Sequence, residues 1–269
     1  MPDSRAFIRS IDTEFESTIW QPFLKALKKY RLVENGDNIA VCISGGKDSM
    51  LLALLFKMLY ERGIYDIGVR YIVMDPGYNA QNRQMIEKNL SLLEIDADIF
   101  QTDIFGSVEN VKNNPCYLCA RMRRGHLYKN AQDRGCNKIA LGHHFDDVIE
   151  TIMMSMLMSG QTRTMMPRVD SENFEGMQLI RPLYLVAERD IIEWRDKNSL
   201  AFIACACRFT EEIHNEDSGT VSKRQEVKEL IAALENDIPN VRQNIFKSVE
   251  NVDVSKLLSI KNDKFSKIP

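Results

Sequence analysis

The sequence predicts an α/β fold, a doubly wound parallel sheet with helical additions at its N- and C-termini. Three observations lead there. Short apolar runs alternate with longer segments of helical spacing through residue 160. The apolar runs are continuous, as in strands buried on both faces. Strands alternating with helices require parallel crossovers.

In chain order, Trp20, Phe23, Leu24, Leu27 and Tyr30 recur at three- and four-residue steps and predict an amphipathic helix, broken by Asn35-Gly36-Asp37-Asn38. The first strand is Ile39 to Ile43, and Asp48 to Arg62 forms the helix after it. Strand 67–74, helix 80–93, strand 97–101, helix 118–134, strand 138–141 and helix 146–158 follow. Beyond Gly160 the pattern loosens, with a helix at 188–198 and two polar helices at 221–234 and 241–252, after the break at 215–220. The expected organisation is a helical segment at 1–35, the main domain at 36–212 and a helical appendage at 213–269. The methionines at 153, 154, 156, 158, 165 and 166 read as core filler.

The chain has 269 residues, 44% hydrophobic and 27% charged, which excludes disorder as its main state. A net charge of -3 offers no global field for nucleic acid, so any such site must be a local patch. The longest apolar stretch, Met50 to Phe56, ends at Lys57, far short of a membrane span. The N-terminus lacks an apolar secretory core, so a cytoplasmic protein is expected. Six cysteines are then expected as thiols, metal ligands or catalytic groups.

Ser44-Gly45-Gly46-Lys47-Asp48-Ser49 joins the first strand to its helix. Two glycines let backbone N–H groups face an anion at a helix N-terminus, and Lys47 adds a full charge. It is not a Walker A loop, because Val41 and Asp48 stand where that pattern needs Gly and Ser or Thr. A second block, Gly142-His143-His144-Phe145-Asp146-Asp147-Val148-Ile149-Glu150-Thr151, follows another strand on the same sheet edge, where open α/β sheets bind ligands. Its carboxylates are either helix caps or ligand-binding groups.

The cysteines divide. Cys42 lies in the first strand and Cys136 at a helix end, both read as structural. Cys116 and Cys119 stand three apart at a helix start, with Cys205 and Cys207 much later. A thioredoxin-type redox pair would follow the first strand, which this pair does not. Four thiolates could close a zinc site, and three could hold an iron–sulfur cluster with one iron open. Spacing alone leaves both. From Cys116 to Gly135, five basic residues face one acid, a local patch suited to phosphates or to a solvated surface.

The Ser-Gly-Gly-Lys-Asp-Ser loop resembles the signature of the PP-loop (N-type ATP pyrophosphatase) superfamily, whose Rossmann-like members adenylylate an oxygen and release pyrophosphate. The Gly142–Thr151 block is similar to that of tRNA-modifying members, both lysidine and 2-thiocytidine synthetases. The run Cys116 to Tyr128, with its Cys-x-x-Cys-x-Arg-x-Arg-Arg-Gly pattern, resembles the 2-thiocytidine synthetase (TtcA type) block, as does Ile180-Arg181-Pro182-Leu183 followed by Glu188-Arg189-Asp190-Ile191.

This resemblance implies a tRNA sulfurtransferase using ATP, Mg²⁺ and a 4Fe-4S cluster. It implies Lys47, Asp48 and Asp147 as catalytic, and Ser44, Gly45, Gly46, Lys47, Asp48, Ser49, Met74, His143 and Asp146 around the nucleotide. Cys116, Cys119 and Cys205 are implied as cluster ligands, and Arg121, Arg123 and Arg124 as RNA contacts. A cysteine desulfurase or sulfide as donor and a homodimer are implied as well. The family shows Pro-Cys-x-x-Cys where this chain has Ala204-Cys205-Ala206-Cys207, so Cys207 stays open as the third ligand. Three other readings stand beside it. They are a lysidine synthetase-like ligase, a zinc or redox module with a vestigial ATP site, and a sulfur transferase acting on a small molecule.

Overall fold

The computed structural model describes residues 4–108, 115–203 and 223–259, with the side chains of 115–117 outside that description. The chain forms two compact units, Met1–Asp147 with Met166–Thr220, and Val148–Met165 with Val221–Pro269.

The first unit contains the sheet. Its strands are β1 (Asn38–Ile43), β2 (Gly68–Asp75), β3 (Ala97–Gln101), β4 (Lys138–Ala140), β5 (Arg168–Asp170) and β6 (Gln178–Ile180), in the order β3-β2-β1-β4-β6-β5. All neighbours pair in parallel except β5, which runs antiparallel along β6 at the edge. The order reverses between β1 and β4, which pair from Ile39 opposite Lys138 to Val41 opposite Ala140. The two motif loops leave these two strands, so the topology brings them together at the switch point.

Every β1 residue after Asn38 is buried, as its apolar run requires. Helix α3 (Lys47–Glu61) is buried at every position from Ser49 to Phe56, so it lies inside the unit. The N-terminal helices α1 (Ser4–Thr13) and α2 (Gln21–Lys29) belong to this unit, and Phe23 of α2 packs edge-on against Phe56 of α3 at 5.8 Å. A π-helical turn, Glu16–Trp20, precedes α2, and Pro22 in its first turn explains why α2 starts after Trp20. The remaining helices of the unit are α4 (Ala80–Leu92), α5 (Ile104–Val108), α6 (Pro115–Asp133), the first turn of α7 (Phe145–Ser159) and α8 (Glu188–Lys197).

The chain entering β1 is fixed by a buried ion pair, Lys138 Nζ to Asp37 at 2.6 Å. Lys138 also donates to the Leu32 carbonyl, and Asn137 to Asp37. Both ions are nearly enclosed, so removing one strands the other. Asp37→Ala is expected to cost roughly 3–5 kcal/mol of stability, read by urea unfolding. A loss below about 1 kcal/mol would contradict this role.

The second unit holds the rest of α7 with α9 (Lys223–Asp237) and α10 (Val241–Glu250). Glu150, buried on α7, pairs with Arg224 of α9 at 3.4 Å. Two expectations are corrected. The stretch after Gly160 holds strands β5 and β6, each too short for a periodic signal. Met156, Met158 and Met166 are exposed and do not fill a core.

Among the described residues, no helix is long and apolar enough to cross a membrane.

Candidate functional site: the loops after β1 and β4

Gly46 ends the loop after β1 and caps α3 in an extended conformation with no side-chain capping bond, so the first-turn amides of α3 stay available to an anion. Gly45 sits at φ +87°, and a Cβ there would strike Ile86 and Ile203. Only glycine fits. Ser49 closes the loop, its Oγ accepting from the Ser44 amide and hydroxyl, both at 3.1 Å, and donating to the Gly46 carbonyl at 2.9 Å. Gly142 allows the second block to approach, since a Cβ there would lie 3.0 Å from the backbone of Asp48 and Ser49.

Lys47 Nζ pairs with Asp48 at 3.2 Å and with Glu188, at the start of α8, at 3.1 Å. Burial pulls the ammonium pKa down, but the two carboxylates outweigh it and hold it above its usual value. Burial raises the Asp48 pKa, with Asp147 adding to the rise and His144 and Lys47 opposing it. His144 Nε2 stands 3.8 Å from Asp48 and 3.6 Å from Asp147.

The carboxylates of the second block bind backbone as well. Asp147 accepts from the His144 amide at 3.0 Å, and Asp146 from the Glu188 amide at 2.6 Å. Asp146 therefore caps α8 while α8 presents Glu188 to Lys47. These contacts bear out the cap reading of both aspartates. Among the described residues, no three acidic, histidine or cysteine side chains converge as a metal site. Mg²⁺ is commonly held by one or two carboxylates plus substrate phosphates, and Asp48 with Asp147 fits that donor set.

A cavity of about 570 Å³ opens beside the loop, lined by Lys47, Asp48, Glu188, Arg195, Phe202 and Ile203 among others. The described chain before Cys205 thus ends at the loop, at Ile203. Cys205 and Cys207 lie outside the described residues.

On the β2 side, Cys119 is buried on α6 against Met74, Ile104, Phe105 and Val108. Cys116 lies three residues earlier on the same helix. Met74 lies in this apolar cluster with 4% exposure, packed beneath α5 and α6. The residue that reaches the loop is Tyr78, whose hydroxyl donates to the Ser44 carbonyl at 3.1 Å and is hydrogen-bonded by Arg123 of α6. Burial pushes its phenol pKa up, against the pull of Arg123. Asp75, held by Arg83 at 2.8 Å, accepts from the Gly77 and Tyr78 amides and fixes this turn.

Tyr78 and Glu188 were not among the sequence candidates. An aromatic just after the Pro76-Gly77 turn at a strand's carboxyl end was the available signal for the first. For the second it was the acid at the start of a helix. Tyr78→Phe removes one hydrogen bond to the loop, worth about 1 kcal/mol. A roughly fivefold weaker ATP affinity is expected, and unchanged affinity by calorimetry would contradict the contact.

Of the basic residues on α6 and just after it, Lys129 and Arg134 are paired with Asp133 and Asp98. Arg121 and Arg124 are exposed, and Arg123 is partly buried against Tyr78. Cys42 and Cys136 are buried in one apolar cluster with Tyr128 and Ile139, and burial raises the pKa of both thiols.

A PP-loop domain model matches residues 15–208. A tRNA-cytidine(32) 2-sulfurtransferase 1 of Francisella philomiragia is 36% identical over 238 residues, covering 87% of this chain and 89% of that protein. The Coxiella burnetii tRNA-cytidine(32) 2-sulfurtransferase is 35% identical over the same shares. The chain belongs to the 2-thiocytidine synthetase family of the PP-loop superfamily. Among solved structures, the U34-tRNA thiolase NcsA from Methanococcus maripaludis with its [4Fe-4S] cluster matches with a TM-score of 0.67 at 24% identity, over 87% of this chain and 78% of that one. That match supports the PP-loop fold of this family member, whose sheet is parallel up to its edge strand.

Proposed function

We propose that this protein is an ATP-dependent tRNA sulfurtransferase of the 2-thiocytidine type. The observation that carries the reading is the joining of the nucleotide loop and the Cys-x-x-Cys helix through Tyr78, which touches Ser44 and Arg123 at once. An activating site and a sulfur-handling site next to each other suit a reaction in which one carbon must meet both.

The loop amides and Lys47 bind the ATP phosphates, displacing Lys47 from Glu188. Asp48 and Asp147 would hold Mg²⁺, which would supply positive charge to the phosphates. A pyrimidine carbonyl oxygen attacks the α-phosphorus, and the bond to pyrophosphate breaks. Lys47 and the amides stabilise the charge that develops on the leaving group. A sulfur nucleophile then adds at the activated carbon, and AMP leaves with the original oxygen.

Cys116 and Cys119, with Cys205, would hold the 4Fe-4S cluster. A Cys-x-x-Cys pair in the opening turns of a helix, with Arg123 one turn after Cys119, suits thiolate ligands. When bound, the cluster supplies an open iron able to carry sulfur. Arg121, Arg123 and Arg124 position the RNA by its phosphates. A cytoplasmic homodimer fed by a cysteine desulfurase or sulfide completes the reading.

The test is anaerobic incubation with ATP, a sulfide source and total tRNA from cells lacking the modification. Thiolated cytidine with matching AMP is the expected result. Lysine-dependent AMP formation without thionucleoside would instead mark a ligase, and thiolation that survives removal of tRNA would mark a small-molecule substrate.

A further inference from the structure

Arg181 follows β6 in the Ile180–Leu183 stretch, on the carboxyl edge that holds both motif loops. It is 9% exposed. Its Nη1 donates to the Met166 carbonyl, and among the described residues its Nε has no hydrogen-bond partner. Among the described residues it has no ion-pair partner. Asp147 acts on it less than Tyr184, Arg124 or Tyr128 does. Arg124 of α6 lies close enough to repel it, and Tyr128 and Tyr184 flank the same guanidinium.

A buried charge without a counter-ion is costly, and proteins retain one mainly where a ligand completes it. Burial is the main cause that holds the guanidinium down to about 10; Tyr184 opposes the shift and Arg124 reinforces it. A hydrophobic residue of similar length would relieve both penalties, so the arginine is not there for stability.

We propose that Arg181 and Arg124 form an anion subsite whose ligand is a phosphate group of a substrate. A phosphate would accept from the idle Nε and neutralise the two like charges. Two substrates carry phosphate, ATP and RNA. The RNA source rests on the function proposed above, whereas the subsite itself does not.

The experiment compares the full-length protein with Arg181→Met and Arg124→Gln. It reads the affinity for total tRNA across salt concentrations, the affinity for a non-hydrolysable ATP analogue, and thermal unfolding with and without inorganic phosphate. Without ligand, Arg181→Met is expected to unfold at the same temperature as the parent or higher. Both variants should lose the rise in unfolding temperature that phosphate gives the parent. With RNA as the source, tRNA affinity falls about tenfold and the salt slope shrinks by roughly 0.7–0.9 per lost contact, while analogue affinity holds. With ATP as the source, the pattern inverts. Unchanged affinities and an unchanged phosphate response in both variants overturn the proposal. Should Arg181→Met fail to fold, Arg124→Gln, altered at an exposed side chain, carries the same readouts. If the parent binds no tRNA, the substrate reading fails while the phosphate response still tests the subsite.

Discussion

Lys47→Ala is expected to lower tRNA-dependent pyrophosphate release by about 10²–10³-fold. Lys47 starts α3, and in the proposed reaction it meets the leaving pyrophosphate. Its removal also leaves Asp48 and Glu188 without the ammonium between them. Two carboxylates facing an incoming triphosphate then repel it, so ATP affinity falls along with turnover. Lys47→Arg keeps the charge but changes its shape, and should recover part of the binding and little of the turnover. Pyrophosphate release at the parent rate by Lys47→Ala would remove this loop from the chemistry. Glu188→Gln separates the two effects. It keeps the side-chain length and takes away the charge that competes with phosphate for Lys47, so ATP should bind more tightly.

The fold was legible where burial leaves a strong pattern. β1 is buried on both faces and reads as a continuous apolar run, and α3 is apolar almost all round because it lies inside the unit. β5 and β6 are three residues each, and β5 is fully exposed, so neither leaves a pattern. Motif residues were legible because their positions demand particular types. Gly45 adopts a left-handed backbone, and Gly142 lies against α3.

Tyr78 and Glu188 were not legible, since their roles come from tertiary contacts to Ser44 and Lys47, which no local spacing encodes. Arg181 shows a third case. Its motif was visible, yet the lack of a hydrogen-bond partner for its Nε among the described residues could only be found in three dimensions. Met74 shows the reverse, a position at the right strand end whose side chain belongs to the apolar layer.

In the proposed reaction the cysteines separate activation from sulfur transfer, and this carries the largest expected effect. Cys119→Ala and Cys116→Ala should each abolish thionucleoside formation and strip iron from the anaerobically purified protein. AMP and pyrophosphate formation should persist within a few-fold, because Lys47, Asp48 and Asp147 are untouched. Cys42→Ala and Cys136→Ala should keep both iron and thiolation. Their thiols are buried among apolar neighbours and held in the protonated form, the wrong state for a metal ligand. Cys205→Ala and Cys207→Ala decide the third ligand, since only the ligand's loss should remove iron. Equal iron loss in both would instead mean that both thiolates serve the cluster, whereas stoichiometric zinc without iron in the parent would mark a four-thiolate zinc site. Full thiolation by Cys119→Ala would sever sulfur delivery from this helix, and the contact of Arg123 with Tyr78 would then serve RNA positioning alone.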